Sequence, residues 1–106
     1  MSTGPIPVLD AAQLRRQTLG NPDFEVEVLA LFSAELERLL QQLDEAGDRL
    51  VQAARLRAII ALARNTGASR LLHEARLTET RLAGGGADFA SVRQAAAETL
   101  AYVRQT

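Results

Sequence analysis

At 106 residues the chain has room for one hydrophobic core and not for two. Hydrophobic residues make up 47% and charged residues 24%, which excludes intrinsic disorder, and a net charge of −1 excludes a general attraction to nucleic acid or to an anionic membrane. Cysteine is absent, which removes disulfides, thiolate metal sites and cysteine nucleophiles.

Residues 1–7 read as a flexible N-terminus, and Pro22 is the last proline, so nothing beyond it interrupts a helix. The spacing over 8–18 predicts a short leading helix with Leu9, Ala12 and Leu14 inward. Leu19-Gly20-Asn21-Pro22 ends that helix and starts the next. Asn21 suits the N-cap, Pro22 the first helical position, and Asp23 and Glu25 complement the helix dipole. A helix over 22–46 is expected to bury Val28, Phe32, Leu36, Leu39 and Leu43, with Phe24, Leu29 and Leu40 flanking that stripe.

Asp48 can cap a third helix that reaches about residue 65. Its inward positions are Leu56, Ile59, Ala63 and Thr66, with Leu50 and Ala53 one to two turns earlier. Ser69 opens a fourth helix with Leu71, Ala75, Thr78 and Leu82 inward. After the connector Gly84-Gly85-Gly86, Asp88 caps a fifth with Phe89, Val92, Ala96, Leu100 and Val103 inward. The pattern predicts one all-α domain over 1–106, an antiparallel up-and-down four-helix bundle with a short N-terminal leading helix.

Few residues offer catalytic chemistry. His73 is the one histidine, too few for a zinc site, and Glu35, Glu37 and Asp44 do not form the Glu-x-x-His pairs of di-iron bundles. The glycines at 84–86 follow no strand and lead to no Lys-Ser/Thr, so they are a connector and not a phosphate loop. Glu25, Glu27, Glu35 and Glu37 read as a solvated face, and no serine or threonine has a histidine that the sequence can place beside it. The expectation is no enzyme, no metal and no cofactor. The first residues carry no basic segment with an apolar run of signal-peptide length, and no stretch approaches the roughly 20 apolar residues of a membrane span. A cytoplasmic protein without membrane or nucleic-acid partners is expected.

The segment Leu56-Arg57-Ala58-Ile59-Ile60-Ala61-Leu62-Ala63-Arg64-Asn65-Thr66-Gly67-Ala68 resembles the signature of the histidine phosphotransfer family, Ala-His-x-Leu-Lys-Gly-Ala/Ser-Ala-x-x-x-Gly-Ala. The likeness extends to Val8-Leu9-Asp10, Leu14, Leu19-Gly20-Asn21-Pro22, Leu29 to Phe32, Glu35-Leu36, Leu71 and Glu79. Aligned on Ala63 and Gly67-Ala68, the phosphoacceptor column falls on Arg57, the lysine column on Ile60 and the glycine column on Ala61. A guanidinium stays protonated and offers no lone pair to phosphorus. The resemblance therefore implies a degenerate member that keeps the fold and loses the transfer.

In that family an exposed imidazole passes a phosphoryl group between receiver aspartates, the lysine helps bind its oxygens, and the glycine leaves room for the partner. The resemblance implies a pseudo-phosphotransferase of bacterial two-component signalling, which binds a response-regulator receiver domain or a histidine kinase. Helix spacing is expected to turn Arg57, Ile60, Ala61 and Arg64 outward, with Ile60 and Ala61 as an exposed apolar pair between two arginines at the interface. Arg57 is then positioned to pair with the carboxylates of a receiver's acidic pocket.

Two other readings compete. His73, roughly 200° around its helix from Leu71, is expected to be exposed, with Arg76 at +3, and would be the nucleophile of an unconventional phosphotransferase. Alternatively, the bundle is purely structural or oligomerising. Monomer and homodimer are both open.

Overall fold

The computed structural model describes residues 6–86 and 88–105. Among them are five helices and no strand. The expected flexible N-terminus lies mostly outside the described residues, but Ile6 and Pro7 are held. Their carbonyls accept from the Arg70 Nε at 3.0 Å and from the Arg70 backbone N–H at 3.1 Å.

Helix α1 spans Ala11–Gln17, and is shorter than the spacing predicts because Asp10 is its cap. The Asp10 carboxylate accepts from the Gln13 N–H at 3.0 Å, which leaves Val8 and Leu9 outside the helix. Leu9 and Leu14 are buried as expected, but Ala12 is exposed, since it lies roughly 200° around the helix from Leu14. Thr18 takes the inward place one turn beyond Leu14, with its hydroxyl donating to the Leu14 carbonyl at 2.9 Å.

Helix α2 covers Pro22–Glu45, capped by Asn21, whose side-chain oxygen accepts from the N–H groups of Asp23 and Phe24. Phe32, Leu36, Leu39 and Leu43 enter the main core. Leu29 does not merely flank them. It is buried with Leu9 and Leu14 in a small second cluster, while Val28 is half-buried and Phe24 exposed. The leading helix causes this exchange, because it covers one side of α2 near its start.

Helix α3 is Arg49–Thr66, capped by Asp48, which accepts from the Leu50 N–H at 2.9 Å. Leu50 is not inward but 77% exposed, six residues and roughly 120° around the helix from Leu56. Gly67 ends α3 in the left-handed region at φ 85, and its N–H returns to the Ala63 carbonyl. Helix α4 is Ser69–Ala83 and α5 is Ala90–Arg104, whose first N–H donates to Asp88 at 2.9 Å. Their inward stripes are those expected, with Ala95 and Thr99 added in α5 and Val103 half-buried against the core.

Helix α3 packs between α2 and α4, α4 packs on α5, and α5 returns to α2. Two polar links join helix ends. Arg93 in the first turn of α5 donates from Nε to Asp44 in the last turn of α2 at 2.8 Å, and Arg49 at the start of α3 donates to the Gly85 carbonyl after α4 at 3.1 Å. The α1 segment in turn straps the α3–α4 turn. The Asp10 N–H donates to the Gly67 carbonyl at 2.7 Å and the Gln13 amide to the Arg64 carbonyl at 2.9 Å.

Gly67 is required twice, by its positive φ and by its neighbours. A Cβ there would lie 3.2 Å from the Gln13 side chain and 3.3 Å from the Asp10 Cβ. Gly67→Ala is therefore expected to cost about 1–2 kcal/mol in urea unfolding. Gly47→Ala, which meets nothing within 4 Å, should stay within about 0.5 kcal/mol. Equal midpoints for the two variants would contradict this account of the turn.

Candidate functional site

The sequence points to α3, and the helix presents only a narrow outer strip. Arg57, Ala61 and Arg64 are exposed and fall within roughly 60° of one another around the axis. The Arg57 Nε donates back to the Ala53 carbonyl at 3.3 Å, which lays the side chain along its own helix. Among the described residues neither Arg57 nor Arg64 lies within ion-pair distance of a carboxylate. Both guanidiniums keep donors for a partner. The strip is held in place at its C-terminal end, where Gln13 binds the carbonyl of Arg64 itself.

Ile60 corrects the expected site. It is 6% exposed and belongs to the main core with Leu56, Ile59 and Ala63, so there is no exposed Ile60–Ala61 pair. The reason lies in the neighbours. With α2 on one flank and α4 on the other, the buried arc of α3 widens to include Ile60, roughly 40° from Leu56. An isoleucine suits that place, where a charged side chain would be buried.

The exposed apolar side chain nearest α3 comes instead from α2. Leu31 is 72% exposed, and with Val28, Phe32, Glu35, Leu62 and Thr66 it lines a shallow hollow between α2 and α3. Leu62 lies roughly 140° around α3 from Arg57, so the hollow opens on the α2 flank, apart from the arginine strip. Sequence reasoning missed Leu31 because it sits in the Leu29-Ala-Leu-Phe32 run, where helical spacing alone does not single out the outward leucine. Glu35 at the rim pairs with Arg38 three residues on. The hydrogen bond from Arg38 holds its carboxyl below the ordinary value, slight burial opposes this, and the Arg38 charge adds to the lowering. The pair's contribution to stability is thus present above the unfolded carboxylate pKa and fades as pH falls through the lowered one.

On the other flank of α3, Arg57 also borders a groove with Arg49, Leu50, Ala53, Glu79 and Leu82. His73 is exposed on α4, so the structure brings it to a different helix from the arginine strip. No group of three or more metal-ligating side chains occurs among the described residues, and no helix of these residues is long and apolar enough to cross a membrane. Comparison with protein-family models, with curated proteins and with solved structures finds no match.

Ile60→Ala is expected to lower stability by about 2–5 kcal/mol in urea unfolding, as a core deletion does. Arg57→Ala should shift it by no more than about 0.5 kcal/mol. A neutral Ile60→Ala would return that residue to the surface.

Proposed function

We propose that this chain is a non-catalytic, histidine phosphotransfer-like signalling module that binds a receiver domain or a histidine kinase and modulates a two-component phosphorelay without carrying phosphate. The observation that carries the reading is Arg57. It stands in the phosphoacceptor column, exposed and without a carboxylate partner among the described residues. The small, exposed Ala61 one turn on keeps the clearance that a docked partner needs.

The fold proposed is an antiparallel up-and-down four-helix bundle of α2 to α5. The Arg93–Asp44 and Arg49–Gly85 links favour it, since each joins the start of one helix to the end of another. Arg57 and Arg64 supply the positive docking face, with the small Ala61 between them. A receiver's acidic pocket meets Arg57, and occupancy of that pocket is the mode of action: competition with a true phosphotransfer partner, or sequestration of a regulator. The reading implies a cytoplasmic module.

The test is a pull-down from lysate of the source cell, with wild type beside an Arg57→Glu, Arg64→Glu variant. Receiver-containing proteins or kinases are expected with wild type and not with the variant. For a purified receiver recovered this way, Arg57→Glu is expected to weaken binding by at least about 1.5–3 kcal/mol, or roughly ten- to a hundredfold. Incubation with the phosphorylated receiver should leave no acid-labile phosphate on the chain. Retained phosphate that His73→Ala abolishes would replace this reading with a transferase, and equal capture by both proteins would move docking to another face.

A further inference from the structure

The groove that Arg57 borders on the α4 flank of α3 has a volume of about 530 Å³ and is open to solvent. Its floor is apolar, with the half-buried Ala53 from α3 and the buried Leu82 from α4. Leu50 lines the same groove with 77% of its surface exposed. It lies seven residues before Arg57 and roughly 20° around the helix, so both reach the groove from one side of α3.

Cations flank this apolar stretch. The Arg57 Nε donates back to the Ala53 carbonyl, which turns its side chain towards the groove's floor. Arg49 lies eight residues earlier, roughly 12 Å along α3, and donates to the Gly85 carbonyl just beyond α4. The α4 wall carries one carboxylate, Glu79, and the exposed Arg76 stands three residues before it. Among the described residues Arg49, Arg57, Arg76 and Glu79 form no ion pair within the chain. The rim is thus net positive on a chain whose net charge is −1.

We propose that this groove seats an amphipathic helix of a partner protein, one with two carboxylates two turns apart and apolar side chains between them. The spacing of the arginines carries the choice. Carboxylates seven residues apart on a helix lie roughly 10.5 Å apart along its axis and within roughly 20° around it, which matches Arg49 and Arg57. Residues three and four positions after the first carboxylate share that face, and there they meet Leu50, Ala53 and Leu82. A small molecule is the poorer fit, because an open groove leaves much of its surface in water. The proposal stands without receiver docking. Arg49 and Leu50 line the groove and are not part of the Arg57, Ala61 and Arg64 strip, so their variants separate the two readings.

Fluorescence anisotropy of a labelled, alanine-based helical peptide tests it, with glutamates about seven residues apart and leucines between them. Saturable binding to the full chain is expected below about 1 mM at low salt. The same peptide with lysines for glutamates should bind at least tenfold more weakly. Leu50→Glu should weaken binding of the glutamate peptide at least tenfold and leave the unfolding midpoint unchanged. The double variant Arg49→Glu, Arg57→Glu should reverse the preference and favour the lysine peptide. Absence of saturable binding, binding untouched by Leu50→Glu, or a single-stranded oligonucleotide that binds more tightly than the glutamate peptide would overturn the proposal.

Discussion

Helix α3 is gripped on both flanks, by α2 and by α4, and most of what is distinctive about this protein follows from that. A helix packed on one side buries an arc of roughly 100°, whereas one packed on two sides buries more and keeps a narrow exposed strip. Leu56, Ile59, Ile60 and Ala63 fill the buried arc. Arg57, Ala61 and Arg64 are among the residues left to solvent, beside Ala54 and Asn65. The strip also has a fixed end, because the leading segment straps the α3–α4 turn through Asp10, Gln13 and the Arg70 contacts to Ile6 and Pro7. A short helix that contributes a single buried leucine of its own thus immobilises the helix end that bears Arg64.

The strip is cationic, with a small residue between its two arginines. Guanidinium groups are planar and carry a delocalised positive charge. Each presents planar donors suited to carboxylates, and among the described residues no carboxylate of the chain competes for Arg57 or Arg64. In the proposed reading, an arginine stands where the resembling pattern has an imidazole, and a guanidinium offers no lone pair to phosphorus.

Much of the fold was legible in the sequence, because its signals are local. Asn21, Asp48, Asp88 and Gly67 mark helix ends by their own chemistry, and each acts in the structure as its residue type suggests. The inward stripes of α4 and α5 follow from spacing for the same reason. Apart from Ala12, which lies on the outer side of its own short helix, the errors concern residues whose environment depends on a second element. Leu29 is buried because α1 covers it, and Ile60 because α3 has two neighbours. Leu50 shows the converse: no helix comes over it in the first turn of α3. The candidate site was legible as a helix face and a charge, in Arg57, Ala61 and Arg64. The separate hollow on the α2 flank was not, because Leu31 and Leu62 come together from two helices and share no motif.

The most direct measurement is a titration of the isotope-labelled chain with a purified receiver domain, followed by backbone amide chemical shifts. The account predicts that the largest changes fall on Arg57, Ala61 and Arg64 of α3, with His73 and the exposed side of α5 unmoved. Changes centred on His73 and α4, or saturating changes that leave α3 untouched, would contradict it.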